Sequence, residues 1–164
     1  MSSLINVVQS HGRGKTEISA FDAALYGIGI ADFNLIYLSS VIPAKSEIVL
    51  NTYKAKFPKL GKTGDRLYIV KAKFCQTISG KEAVAGLMWY QITDGSGIFV
   101  EAEGESRVNV QKQLEESIEE MAYRRWGKFE CKRRKGLVSY VMCNQEPVCA
   151  LVVAVYKSEK WKRR

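Results

Sequence analysis

The serine pair Ser39-Ser40 is where residue type and position could do chemistry in this 164-residue chain. A nearly unbroken apolar run, Phe33 to Leu38, delivers the two hydroxyls into an abrupt turn. Pro43 makes regular strand pairing beyond Ile42 unfavourable. The chemistry open to a serine hydroxyl is that of a nucleophile, once activated. Asn34 is a polar residue inside the apolar run, and a buried amide must find partners. The residues alone also fit a plainer account, in which Asn34 ties down a neighbouring loop and the serines cap the strand end.

The other candidates carry less. His11 stands alone in a glycine-rich stretch, His11-Gly-Arg-Gly-Lys15, and reads as a surface histidine. Gly27-Ile-Gly29 lacks the third glycine of a dinucleotide loop, since position 32 is Asp32, and it follows a helix instead of opening one. No G-x-S-x-G elbow is present. The four cysteines, Cys75, Cys131, Cys143 and Cys149, make no CxxC pair, and one histidine gives a zinc site no support. No metal is expected. The thiols are expected to be reduced in a cytoplasmic protein, because the first ten residues lack a secretory pattern and no stretch approaches the ~18 apolar residues of a membrane span.

The formal net charge is +8. Such a surplus favours acidic partners, nucleic acid included. It is concentrated, however, at Lys128 and Lys132 to Lys135, and at Lys157, Lys160, Lys162, Arg163 and Arg164. These clusters read as a solvated loop and a frayed tail, and no nucleic-acid or membrane partner is expected. A basic nucleic-acid-binding module is the competing class. It would account for the charges and explain nothing about Ser39-Ser40.

Hydropathy patterning supplies the elements that must position the serines. Leu4 to Gln9 reads as a short strand followed by a glycine turn. Ser19 is a candidate cap for a helix over Ala20 to Tyr26, with Asp22 as its first-turn carboxylate. Phe33 to Leu38 reads as a buried strand, Asn51 to Gly64 as a lysine-rich loop, and Leu67 to Phe74 as a half-buried strand. Val84 to Ile92 and Gly97 to Glu103 flank Thr93-Asp94-Gly95-Ser96 and predict a hairpin. Val110 to Trp126 is amphipathic, with Val110, Leu114, Ile118, Met121 and Trp126 near one face. Leu137 to Cys143 and Val148 to Tyr156 close the chain as strands. Six or seven strands and two helices in one domain, residues 1–164, give an α+β class.

The segments Ser19-Ala-Phe-Asp-Ala-Ala-Leu25, Gly27-Ile-Gly29, Asn34-Leu-Ile36, Leu38-Ser-Ser-Val-Ile-Pro43 and Ser46-Glu-Ile-Val49 resemble the N-terminal signature of pyruvoyl-dependent arginine decarboxylases. Thr77-Ile-Ser79, Gly97-Ile-Phe-Val-Glu-Ala-Glu-Gly104, Glu120-Met-Ala122 and Cys149-Ala150 with the strand to Tyr156-Lys157 extend the resemblance over nearly the whole chain, except Asn51 to Arg66. The resemblance implies a four-layer α/β/β/α sandwich. It implies self-cleavage between Ser39 and Ser40 into a β chain, 1–39, and an α chain, 40–164. The Ser40 hydroxyl attacks the Ser39 carbonyl to give an ester. Elimination and hydrolysis then leave a pyruvoyl group at position 40, with neither pyridoxal phosphate nor a metal. By the same resemblance Asn34 is the donor to the oxyanion of that attack. Glu101 is the proton donor in decarboxylation, in an apolar setting that raises its pKa. Asp22 receives the substrate's guanidinium, and Leu25 and Ser39 line the pocket. Glu103, two residues on, is the alternative to Glu101. The resemblance further implies a homotrimer whose sites lie between subunits, with Asp22 and Ser40 of one site on different chains. The implied reaction takes arginine to agmatine and carbon dioxide, and another amino acid is the alternative substrate.

Overall fold

The computed structural model describes residues 3–51, 60–127 and 133–161. The described residues fold into two sheets and two helices. Strand β1, Ser3–Arg13, leads to helix α1, Glu17–Gly27, and then to β2, Asn34–Tyr37, β3, Val41–Ile42, and β4, Ser46–Leu50. Next come β5, Arg66–Gln76, β6, Glu82–Gln91, and β7, Gly97–Gly104. Helix α2, Arg107–Trp126, precedes β8, Arg133–Met142, and β9, Val148–Glu159. Sheet A has the order β2-β5-β9-β1-β4, and sheet B the order β3-β7-β6-β8. The pairs β1–β4 and β2–β5 are parallel, and the remaining pairs are antiparallel.

Three apolar interfaces stack these elements as the expected four-layer α/β/β/α sandwich. Phe21, Ala24 and Leu25 of α1 pack on Val8, Leu67, Ile69 and Val153 of sheet A. Val7, Val70, Ala72 and Val152 meet Leu87, Trp89 and Phe99 between the sheets. Val110, Leu114, Ile118 and Ala122 of α2 pack on Val84, Met88 and Val100 of sheet B. The period of two in β9 is clear. Val148, Ala150, Val152 and Ala154 face sheet B, while Cys149, Leu151, Val153 and Val155 face α1. Neither helix of the described residues is long and apolar enough to cross a membrane.

Several elements differ from the expectation. Strand β1 runs on through His11 and Gly12, which pair with Ala150 and Cys149. Its glycine serves packing instead of turning. A Cβ on Gly12 would lie 2.3 Å from the Ala20 carbonyl oxygen, so glycine lets α1 lie directly on the strand. Helix α1 starts earlier than Ala20. Thr16 is the N-cap, in a capping box with Ser19 at N3. Asp22 therefore sits in the second turn and caps nothing. Strand β2 is not buried: it is a sheet edge with Asn34, Ile36 and Tyr37 exposed. Strand β4, which no pattern marked, adds in parallel to β1. Arg133 to Lys135 belong to β8, and Arg134 is ion-paired to Glu119 at 2.6 Å, so that part of the basic cluster is strand and not loop. Lys128, Lys132 and the end of the tail, with Lys54, Lys56 and Lys59 of the lysine-rich stretch, lie outside the described residues. The hairpin fits the pattern: the Asp94 carboxylate accepts from the Ser96 N–H at 2.7 Å, and Gly95 has a φ of 86°.

Candidate functional site

The chain passes from sheet A to sheet B through Leu38, Ser39 and Ser40. On the near side, the Leu38 N–H donates to the Ile69 carbonyl of β5 at 2.9 Å. On the far side, the Phe99 N–H of β7 donates to the Ser40 carbonyl at 2.8 Å. Two residues must turn the chain between these anchors. Ser40 takes up the turn with a φ of 66°, in the left-handed region. For a residue with a Cβ that conformation costs roughly 1–2 kcal/mol. The strain sits in the Ser40 backbone, next to the peptide bond between Ser39 and Ser40. Ser39 is exposed and Ser40 half-exposed, so the bond is accessible.

The Ser40 hydroxyl donates to a carboxylate oxygen of Glu101. Period two on β7 places Glu101 on the face shared by Phe99 and Glu103, towards sheet A, while Ile98, Val100 and Ala102 face α2. Of Ile98, Phe99 and Val100, the neighbours expected to make the setting of Glu101 apolar, only Phe99 shares its face; the other two point the other way, and Glu101 is exposed on the protomer. Glu103 is engaged elsewhere and accepts from the Lys73 N–H at 3.3 Å. Of the two carboxylates, Glu101 is the one joined to Ser40.

Tyr156, near the end of β9, was given no role by the sequence. Its phenol donates to the Val41 carbonyl at 3.1 Å, and its ring stands edge-on to Phe99, with centroids 6.2 Å apart. Burial, and then the nearby Glu101 charge, hold the phenol's pKa far above its ordinary value, so it remains a donor. A signal was present. Tyr156 ends the row Val148, Ala150, Val152, Ala154 that faces sheet B, and a tyrosine in such a row needs a partner for its hydroxyl. Leu38, Ser39, Val41, Tyr68, Tyr156 and Lys157 line a cavity of about 410 Å³ beside the serine pair.

The other expected site residues lie elsewhere on the protomer. Asn34 opens β2, and its amide donates to the Gly64 carbonyl at 2.6 Å. It is exposed, not buried, and on this protomer it ties down a loop. Asp22 is exposed on α1, in the outer layer. Its neighbour Phe21 flanks the Lys71 ammonium, whose other side faces Tyr37 of β2, with distances of 5.7 and 4.6 Å to the ring centroids. Burial, then the like charge of Lys73, lowers the Lys71 pKa. Leu25, expected to line a pocket, is buried beneath α1 against sheet A, because it shares that helix face with Phe21 and Ala24. The protomer thus joins Ser39, Ser40 and Glu101, and leaves Asn34, Asp22 and Leu25 apart from them.

The family model for pyruvoyl-dependent arginine decarboxylase matches residues 4–160. The chain belongs to the pyruvoyl-dependent arginine decarboxylase family. A relative from Halobacterium salinarum bearing that name is 36% identical over 102 residues, which are 62% of this chain and 61% of the relative. The chain thus spans about three fifths of that relative's length. A relative of the same name from Thermococcus sibiricus is 29% identical over 91% of both chains. One from Methanocaldococcus jannaschii is 29% identical over 74% of this chain and 69% of the relative. A solved pyruvoyl-dependent histidine decarboxylase has a TM-score of 0.44 at 14% identity, over 85% of this chain and 61% of that one.

The strain at Ser40 can be measured. Ser40→Gly and Ser40→Ala both remove the hydroxyl, but only glycine adopts a φ of 66° at little cost. Ser40→Gly is expected to be the more stable by about 1 kcal/mol, or roughly 2–4 °C in Tm at this size. An alanine variant melting as high as the glycine variant would remove the strain from the account.

Proposed function

We propose that this chain cleaves itself between Ser39 and Ser40, converts Ser40 into a pyruvoyl group, and uses it to decarboxylate arginine to agmatine. One observation carries the reading: at the strained crossing between sheets, the Ser40 hydroxyl is already bound to a carboxylate. The residues present suit a carbonyl group made in place. Position 40 is half-exposed beside a cavity, and its carbonyl is fixed by the Phe99 N–H. Family membership and the names of the relatives support the same chemistry.

Glu101 has two tasks in this reading. In the precursor its carboxylate orients the Ser40 hydroxyl as the oxygen adds to the Ser39 carbonyl. A pyruvoyl ketone at position 40 supplies the electron sink for loss of carbon dioxide. Glu101, next to that position, returns a proton to the substrate carbon. Asn34 is proposed as the donor to the oxyanion of the self-cleavage, and Asp22 as the carboxylate for the guanidinium. Both are distant from Ser40 in the protomer's layers, so the complete site requires a second copy of the chain. We therefore propose a homotrimer with shared sites. Ile36, Tyr37 and Val41, exposed around the crossing, provide apolar surface for such a contact. Leu25 contributes by seating α1.

Two variants test the roles. Glu101→Gln keeps an acceptor for the Ser40 hydroxyl, so it should still be cleaved, while decarboxylation falls by about 10²–10⁴-fold. Glu103→Gln should retain its rate; equal losses in both variants would contradict the assignment. Asp22→Asn should be cleaved and should lose roughly thirty-fold or more in kcat/KM for arginine, the equivalent of about 2 kcal/mol or more for a charged partner. Its melting temperature should hold, since Thr16 and not Asp22 serves the cap of α1. Normal kinetics on arginine would remove Asp22 from the site.

A further inference from the structure

We propose that Tyr156 is a positioning residue for the Ser39–Ser40 bond: its hydroxyl, on the Val41 carbonyl, holds the chain in the strained turn from which Ser40 attacks. The inference rests on the self-cleavage proposed above. It starts from the topology. The crossing leaves sheet A at Leu38 and enters sheet B at Ser40, and β3 is only Val41–Ile42. So short an edge strand is a weak anchor. It pairs with β7 through Val41↔Ile98 and Ile42↔Gly97, and Pro43 follows at once. A residue with a φ of 66° relaxes to an ordinary backbone conformation unless its surroundings prevent it. The Phe99 N–H holds the Ser40 carbonyl from within sheet B. Tyr156 holds the next carbonyl, that of Val41, from the opposite sheet.

This is a cross-sheet tie placed one residue beyond the reactive serine. Tyr156 stands on β9, which lies in the interior of sheet A between β5 and β1. Its ring is fixed by the edge contact with Phe99, and the backbone of that same Phe99 binds Ser40. One phenylalanine thus links the two restraints. The groups about the phenol are the Glu101 carboxylate on β7 and, beside the same cavity, Tyr68 and Lys157. Tyr68 donates to Glu159 at 2.8 Å, and Lys157 pairs with Glu159 at 2.7 Å. These partners leave the Tyr156 hydroxyl to the Val41 carbonyl. The role is indirect: the phenol touches neither the Ser40 hydroxyl nor the Ser39 carbonyl through a hydrogen bond. It maintains the geometry in which the Ser40 oxygen adds to the Ser39 carbonyl carbon while the bond from that carbon to the Ser40 nitrogen breaks. The nitrogen gains the proton that the hydroxyl gave up.

The test uses full-length precursor made by cell-free synthesis and followed by intact mass against time. Tyr156→Phe removes one oxygen and keeps the ring. Its self-cleavage should slow about five- to tenfold, the scale of one hydrogen bond, with Tm unchanged within a few degrees. Replacing Tyr156 by 3-fluorotyrosine, which keeps the hydroxyl, should restore the rate to within about twofold, on the same scale of one retained hydrogen bond. Hydroxylamine, which traps the ester formed by the acyl shift, should release the two chains more slowly from Tyr156→Phe than from the wild type. Wild-type cleavage by Tyr156→Phe, a fluorotyrosine variant as slow as the phenylalanine one, or unaltered hydroxylamine release would each overturn the role. If the wild-type chain itself stays whole, the self-cleavage reading fails and this inference falls with it.

Discussion

The structure depends on one constraint, the passage of the chain from sheet A to sheet B within three residues. Leu38 is still hydrogen-bonded to β5, and Ser40 is already hydrogen-bonded to β7. The two sheets are held apart by close-packed side chains, so neither anchor can move to relieve the link. The link must therefore bend sharply, and Ser40 does so at a φ that a residue with a Cβ normally avoids. An abrupt turn could have been made with glycine at no such cost. The serine supplies what glycine lacks, a hydroxyl, and that hydroxyl is bound to Glu101.

This arrangement divides the work between rigid layers. Sheet B contributes the carboxylate that meets Ser40, because period two on β7 turns Phe99, Glu101 and Glu103 towards sheet A. Phe99 fills the core, Glu101 meets the serine at the edge, and Glu103 fastens to β5. Sheet A contributes the tie from Tyr156. The outer helix α1 presents Asp22 to solvent, on the side of sheet A away from Ser40. On the proposed reading, one protomer holds Ser40 and Glu101 together, while Asp22, the proposed carboxylate for the substrate's cation, faces away from them. The proposed trimer resolves this separation.

Local chemistry made part of this legible. Asp94 and Gly95 announce the hairpin, Pro43 ends β3, and the 3.6-residue spacing of Val110, Leu114 and Ile118 marks α2. The serine pair stood out because an apolar strand led into it. What was hidden depends on partners distant in sequence. Strand β4 is a strand because β1, some forty residues earlier, offers it an edge. Gly12 looks like a turn until α1 is placed upon it. The apolar residues of β2 suggested burial, yet the strand lies at the sheet edge, where Ile36 and Tyr37 remain exposed. The start of α1 was misplaced because Ser19 and Thr16 are both good caps, and they act together as one capping box. That Glu101 and not Glu103 meets Ser40 is visible only once Ser40 and Lys73 are placed beside them.

The most direct test of the central claim is an intact-mass spectrum of the purified wild-type chain. The account predicts two fragments dividing at Ser39–Ser40, with the larger, residues 40–164, blocked at its N-terminus and lighter than unmodified chain by the conversion of serine to pyruvoyl. A single uncleaved mass, or cleavage at another bond, would contradict it.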